Sequence, residues 1–256
     1  MDIDIDAVAE RFAGDAIILD VEQVLKSGKE AVVFRCSAHP STGVEAVAVK
    51  VYKDIEKRGF RDMADYLDGR IGRTIRKRRD ILHMFSSPDS MQAYWVQAEY
   101  EALERLHGAG LPVPKPLAMC DNAVAMEFVG EPAGFGDDGE GGVVLEPAPR
   151  LRDARLGSGE AAAAKEALVA AVRRMLELDL IHGDLSPYNV LVREGKPVII
   201  DFPQAIDARF HSRGAEMLSR DLANILGYFG KRGLGSEEEG RALAAEWWEL
   251  YERNAL

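Results

Sequence analysis

The run His182-Gly183-Asp184-Leu185-Ser186-Pro187-Tyr188-Asn189, with Asp201 a short way beyond it, constrains this chain more than any other feature. Between them lie Val190 to Val192 and Val198 to Ile200, two short β-branched runs joined by Arg193-Glu194-Gly195-Lys196-Pro197. That pattern predicts a β-hairpin. Centred on Gly195, the hairpin sets Asn189 directly across from Asp201, so that an amide oxygen and a carboxylate emerge at one mouth. Oxygen donors of this kind suit Mg²⁺, which is usually held by one or two carboxylates together with waters and substrate phosphates. Asp184, on the incoming loop, is placed near the same point. Taken singly, Asp184 and Asp201 are explained equally well as caps on loop backbone N–H groups, and it is their combined spacing that points to chemistry. His182 reads as an orienting residue of that loop rather than a base.

A second signal joins two residues that are each unusual where they stand. In Glu45 to Tyr52 the alternation puts Val47, Val49 and Val51 on one face of a strand, and Ala46, Ala48 and Lys50 on the other. Lys50 therefore lies on a surface of small side chains, which leaves room for something flat. Gln92 to His107 predicts a helix whose apolar stripe of Trp95, Ala98, Ala102, Leu103 and Leu106 is interrupted by Glu99. A carboxylate inside such a stripe needs a cation, and a strand lysine needs a reason not to be a surface residue. A Lys50–Glu99 pair answers both and would hold the ammonium against nucleotide phosphates, although an ion pair without a ligand is the plainer alternative. Losing one member of such a buried pair costs about 3–5 kcal/mol. At the turn before this strand pair, Ser27-Gly28-Lys29-Glu30-Ala31 offers backbone N–H groups to a phosphate, without the glycine pattern of a P-loop.

The rest of the chain frames these signals. Its 256 residues, 47% hydrophobic and 29% charged, are enough to bury a core without disulfides, and the two cysteines, Cys36 and Cys120, read as ordinary buried strand residues. Extended runs from Ile17 to Val24 and from Ala31 to Cys36 join Glu45 to Tyr52 in an antiparallel start; Leu117 to Cys120 and Ala123 to Phe128 read as a further pair. Residues 133–157 have no sustained periodicity and read as a connector. Helices are predicted over Glu160 to Leu178, Ser212 to Phe229 and Ser236 to Tyr251, with Ser158 a candidate cap for the first. This order gives an N-terminal segment 1–16, a strand-rich lobe 17–130, a connector 131–157 and a mainly helical lobe 158–256. No signal-peptide pattern opens the chain and no segment has transmembrane length, which places the protein in the cytoplasm and off the membrane.

Net charge is -11, so the average field repels nucleic acid, and no DNA partner is expected. Positive charge is gathered in a flexible loop near 56–90, where Arg70, Arg73, Arg76, Lys77, Arg78 and Arg79 fall within ten positions. A solvated surface loop is the plain reading, and contact with an RNA backbone the functional one.

With these residues in view, the chain resembles the RIO family of atypical serine protein kinases, and more the type without a leading winged-helix domain. The resemblance rests on Ser27-Gly28-Lys29-Glu30-Ala31, on Lys50 in Ala48-Val49-Lys50-Val51-Tyr52, on Glu99 in Gln97-Ala98-Glu99-Tyr100, on Met126-Glu127-Phe128-Val129-Gly130, and on the loop from His182 to Asn189 with Asp201. It covers roughly residues 17 to 230, with Pro187 standing where the family carries an acidic residue. What it implies is an α+β, two-lobe protein-kinase-like fold with an antiparallel-sheet N-lobe and a reduced C-lobe, binding ATP and Mg²⁺ between them. By the same likeness Met126, Glu127 and Phe128 form the hinge that meets adenine, Ser27, Gly28, Lys29 and Glu30 the nucleotide loop, and Lys50 with Glu99 the phosphate clamp. Asp184 becomes the catalytic aspartate, Asn189 and Asp201 the Mg²⁺ ligands, and Asp201 an aspartyl-phosphate position. The likeness further implies autophosphorylation on serine, ATP hydrolysis, and work on the small ribosomal subunit, its RNA or protein met through the basic stretch 57–79. The runner-up is a small-molecule phosphotransferase of the aminoglycoside or choline type, and a different class again is an RNA-assembly scaffold switched by ATP.

Overall fold

The computed structural model describes residues 5–53, 88–135 and 143–256. The basic stretch 57–79 and the loop expected near 56–90 therefore lie, but for its last three residues, outside the described residues. The first half is a five-stranded antiparallel sheet of β1 (Ile18–Ser27), β2 (Ala31–Ala38), β3 (Ala46–Tyr52), β4 (Pro116–Cys120) and β5 (Ala123–Glu127), ordered β1-β2-β3-β5-β4. Alternation along β3 sorts its side chains as expected. Val47, Val49 and Val51 join Phe34, Cys36 and Ala125 in one core, while Ala46 and Ala48 face Phe128 and Leu145 on the other side. Cys36 is buried, whereas Cys120, at the end of β4, is only half-buried.

The valine face is closed by α1 (Ile5–Gly14), where the sequence reading had only an undifferentiated segment 1–16. Val8 and Phe12 are buried and Ile5 packs beside them, a spacing of three and four that makes one helical stripe. Burial of that stripe against the sheet decides the matter over the local alternation of Asp and Ile. On the side nearer the helical half, α2 (Pro88–Gly108) buries Val96, Leu103 and Leu106, and the Gln92 amide donates to the Tyr52 carbonyl at 3.0 Å.

The expected connector 131–157 contains a hairpin instead, β6 (Gly130–Phe135) paired antiparallel with β7 (Val143–Pro147). Its glycines and prolines hide it from any periodicity argument, and tertiary contacts hold it. The Arg35 guanidinium donates to the Leu145 carbonyl, lies over the Phe128 ring and pairs with Glu22 at 2.7 Å. Beyond it the chain is tied down by Ala148 N–H to the Val129 carbonyl at 3.1 Å, Val192 N–H to the Pro149 carbonyl at 2.8 Å and Leu151 N–H to the Val190 carbonyl at 2.8 Å, among others.

The second half comprises α3 (Ser158–Glu177), β8 (Leu180–Ile181), β9 (Val190–Arg193), β10 (Lys196–Ile199), β11 (Ile206–Asp207), α4 (Gly214–Gly230) and α5 (Glu237–Glu252). Leu168, Val172 and Leu176 of α3 meet Leu218, Leu222, Ile225 and Phe229 of α4 and Trp247 of α5 in its core. Gly157 rather than Ser158 is the N-cap of α3, its N–H donating to Glu160 Oε2 at 2.8 Å; Ser236 caps α5, accepting from Glu239 N–H at 3.0 Å.

The hairpin β9–β10 exists, but its register corrects the expectation. Arg193 pairs with Lys196, so the turn is the two residues Glu194 and Gly195, with φ of 50° and 77° as a type I′ turn requires. Its centre lies between them, not on Gly195. Asn189 therefore faces Ile200, whose N–H donates to the Asn189 carbonyl at 2.9 Å, and Asp201 falls one residue further along. A one-residue offset moves a side chain to the other face of a ribbon. Asp201 is brought back by a left-handed backbone of its own, φ 72°.

Helix α4 positions the loop that carries Asp184. Asp221 is buried, and its two oxygens accept from Gly183 N–H at 2.8 Å and Leu185 N–H at 2.9 Å, while the Asn224 amide donates to the Leu185 carbonyl at 3.0 Å. Gly183 has φ 81° and no room for a Cβ, which would stand 2.5 Å from the Gln204 carbonyl oxygen.

Two predictions follow from this packing. A Cβ on Gly240 would lie 2.6 Å from the Leu222 carbonyl oxygen, so Gly240→Ala should cost stability by about 1–3 kcal/mol even though alanine is the better helix former by about 1 kcal/mol; urea unfolding that shows a gain would refute this close crossing of α4 and α5. Burial pushes the Asp221 carboxyl up to about 7 from the ordinary 3.8, against the pull of its two backbone donors. Between those values the folded chain keeps a proton that the unfolded chain has released, so this group's contribution falls as pH rises through the window. The stability of the native protein relative to Asp221→Asn should therefore shrink between pH 5 and pH 8, and a constant gap across urea titrations would refute burial as the dominant influence.

Candidate active site

A cavity of about 460 Å³ opens between the small-residue face of the sheet and the helical half. Gly28, Lys29 and Glu30 line it from the β1–β2 turn, Lys50 from β3 and Glu99 from α2. Met126 and Glu127 line it from the end of β5 and Phe128 from the residues that follow; Asp184, Asn189 and Asp201 line it from the helical half. Ser27 does not: it ends β1 with its side chain exposed, paired in register with Val32. The sequence places Ser27 in the phosphate seat, whereas its register with Val32, a residue of the valine-face core, turns its side chain away from the cavity.

Charge is concentrated at Lys50. Its Nζ donates to Glu99 Oε1 at 2.7 Å, as the sequence suggested, and also to Asp201 Oδ1 at 2.6 Å, which joins the two halves through one ammonium. Burial works against that charge, but Glu99, Tyr52 and Asp201 outweigh it and hold the Lys50 pKa well above its usual value. The reverse holds for Asp201, where burial raises and Lys50 lowers, and the carboxyl ends below its ordinary value. Glu99 is 1% exposed and fully engaged, taking Lys50 and Phe202 N–H at 3.1 Å on Oε1 and the Tyr52 hydroxyl on Oε2. Tyr52 is a partner that the sequence reading missed. Its signal was present: it follows Lys50 by two on the same strand face.

Besides its ties to α4, the loop around Asp184 carries hydrogen bonds of its own. Asn189 Nδ2 donates to the Asp184 carbonyl at 2.8 Å and to Asp184 Oδ2 at 3.1 Å, which leaves Asn189 Oδ1 as an oxygen donor for a cation. His182 is buried, and burial lowers its pKa, so it is neutral. Its Nδ1 lies 3.3 Å from Asp184 N–H as acceptor, so Nε2 carries the proton and donates to the Ile200 carbonyl at 3.1 Å. The histidine thus links the Asp184 loop to the strand leading into Asp201, an orienting role.

At the segment between the halves, Phe128 N–H is used by the Ala46 carbonyl at 3.0 Å and Glu127 N–H by the Lys115 carbonyl at 2.8 Å. Val129, which also lines the cavity, has an N–H that no group takes among the described residues. Lys26 and Arg150 are two further lining residues that sequence reasoning did not single out. Asp221 was legible by the logic that found Glu99, since it is a carboxylate in the apolar stripe of Leu218, Leu222 and Ile225. Among the described residues, no helix is long and apolar enough to cross a membrane.

Comparison with known proteins places this geometry. The family model described as the RIO domain matches residues 32–242. The serine/threonine-protein kinase RIO1 of Chaetomium thermophilum is 34% identical over 228 residues, 85% of this chain and 41% of that one. A RIO-type serine/threonine-protein kinase Rio1 of Haloferax volcanii is 33% identical over 83% of this chain and 64% of its own length, so the chain spans less than two thirds of these relatives. Its counterpart in Thermoplasma acidophilum is 30% identical over 77% of this chain and 92% of its own. Among solved structures, the Rio2 kinase of Chaetomium thermophilum, crystallised as an ADP/Mg²⁺-phosphoaspartate complex, superposes with a TM-score of 0.60 at 19% identity, covering 96% of this chain and 74% of that one. The sheet-bearing and helical halves are therefore the two lobes of a protein-kinase-like α+β fold. With the family model spanning most of its length and a relative matched almost end to end, this chain belongs to the RIO family.

Proposed function

We propose that the protein is an ATP-dependent phosphotransferase of the RIO type, passing the terminal phosphoryl group to serine or to water. The observation that carries this reading is the Lys50 ammonium held between Glu99 and Asp201 in a cavity that also presents Asp184 and Asn189. Glu99 orients Lys50 toward nucleotide phosphates, and the Val129 N–H, which no group takes among the described residues, supplies a donor for adenine at the wall made by Met126, Glu127 and Phe128. Gly28, Lys29 and Glu30 cover the phosphate end from the β1–β2 turn.

Asn189 Oδ1 and the Asp201 carboxylate are an all-oxygen donor set, the kind that Mg²⁺ takes, and they fit it. Mg²⁺, when bound, neutralises charge on the phosphate oxygens. Asp184 is exposed at the cavity and positions the attacking hydroxyl or water, its own geometry kept by Asn189 and by the Asp221 platform beneath it. Catalysis on this reading is placement plus charge. Between Asp201 and α4 (Gly214–Gly230) the chain has only Phe202 to Arg213, with β11 (Ile206–Asp207) inside it, too little for a peptide-docking activation segment. Substrate recognition on this reading is therefore unlike that of an ordinary protein kinase. The proposal extends to the cytoplasm as its compartment and to small-subunit ribosomal RNA or protein as partner. What supports the partner is the basic cluster from Arg70 to Arg79, known from its sequence alone.

The test is incubation with γ-labelled ATP and Mg²⁺, with and without ribosomal subunits, following label on protein and release of free phosphate. Asp201→Asn should keep its circular dichroism spectrum and lose phosphoryl transfer by about 100-fold or more, the scale of one preorganised charge contact. Turnover equal to the native protein's would remove the role given to Asp201. Lys50→Ala, checked in the same way for folding, should weaken ATP binding, and unaltered affinity and rate would remove the clamp.

A further inference from the structure

Two cations at the cavity's edge have no part in the scheme above. Lys26 stands next to last in β1 (Ile18–Ser27), in the sheet-bearing lobe; Arg150 belongs to the other wall, where it bridges to Leu191 of β9. Both line the same cavity. Of the other basic side chains around it, Lys29 already belongs to the nucleotide loop, Lys50 is held by two carboxylates, Lys53 donates to the Gly28 carbonyl at 2.6 Å, and Arg193 pairs with Glu127. Lys26 and Arg150 form no ion pair with a carboxylate among the described residues.

They also bear on one another. The Lys26 ammonium has its pKa lowered, first by burial and next by the Arg150 guanidinium, with Asp201 opposing. Two like charges lining one cavity are unfavourable until something anionic lies between them, and then the same placement becomes favourable twice over. The chain's net charge of -11 repels anions at long range, so an anionic ligand has to be held by local charge. Arginine suits such a position, because its planar fork grips phosphate oxygens in pairs and cannot lose its proton.

We propose that Lys26 and Arg150 are a two-sided clamp, one jaw from β1 and one from the connector where it bridges to β9, that closes on the phosphate chain of the bound nucleotide. This rests on the reading of the cavity as a nucleotide site and names two further binding residues there. In the free protein the jaws repel and favour an open mouth; with the nucleotide in place its phosphates draw them together.

The experiment is calorimetric titration of the full chain with ATP, adenosine and tripolyphosphate, for the native protein, Lys26→Met, Arg150→Met and the double variant. ATP affinity should fall about tenfold in each single variant, the weight of one contact between charged groups, while adenosine affinity stays where it was. The double variant should lose less than the two single losses combined, because the first replacement already removes the repulsion that the ligand would have offset. Tripolyphosphate, which has no base or sugar, should show the same losses as ATP. Undiminished ATP affinity in both single variants overturns the clamp, and so does an equal loss for adenosine, which would make the two side chains mere wall. A native protein that binds adenosine and ATP alike without preference for phosphate overturns it as well. Failure of the native protein to bind any nucleotide would instead bring down the reading of the site itself, a result separable from the others because it shows before any substitution is made.

Discussion

The arrangement depends first on the buried carboxylate of Glu99. It receives Lys50 and Tyr52 from β3 (Ala46–Tyr52) and the N–H of Phe202, the residue after Asp201. Three parts of the chain, α2 (Pro88–Gly108), the sheet and the segment leaving the β9–β10 hairpin, are thereby held to one pair of oxygens. Taking a carboxylate and an ammonium out of water is costly, and the cost is offset here because both Glu99 oxygens receive donors and the ammonium meets two carboxylates. Such a pair is weak as a source of stability and strong as a source of position: Lys50 has one place to be, and that place also lies within reach of Asp201.

The helical lobe repeats the device. Asp221, buried on α4 (Gly214–Gly230), takes the N–H groups on either side of Asp184 and so fixes the loop from a rigid helix. Asn224, one turn further along the same helix, holds the Leu185 carbonyl. Each lobe thus turns a helix position into a loop position through one buried carboxylate, which leaves some of the groups that face the cavity without a partner among the described residues. Among the described residues, no partner is taken by Asn189 Oδ1 or the Val129 N–H, and no carboxylate pairs with Lys26 or Arg150. The groups that hold the fold and the groups that meet a ligand are largely different ones, with Lys50 and Asp201 in both sets.

Much of this was legible from residue order, for particular reasons. Period two in β3 separates Lys50 from its valine neighbours, and a lone carboxylate in a helical stripe announces that a cation is near. What was not legible depends on contacts distant in sequence. Helix α1 (Ile5–Gly14) is too short to declare itself and is held by the valine face it covers; the β6–β7 hairpin is held by Arg35 and Phe128, not by its own glycines and prolines. Lys26 and Arg150 come together from strand and connector more than a hundred positions apart, and no spacing rule joins them.

Residue order alone therefore marked Lys50, Glu99, Asp184, Asn189 and Asp201 as candidates that the fold gathers at one cavity, because periodicity and the cost of burying a lone charge are local properties of strand and helix. Only the tertiary structure decided how they meet. A turn centred between Glu194 and Gly195 shifts Asp201 one step past Asn189, and the left-handed φ of 72° with the pull of Lys50 returns it to the cavity. That outcome is settled by the balance of hydrogen bonds and charges across the lobes, a sum over groups that only the folded chain brings within reach of one another.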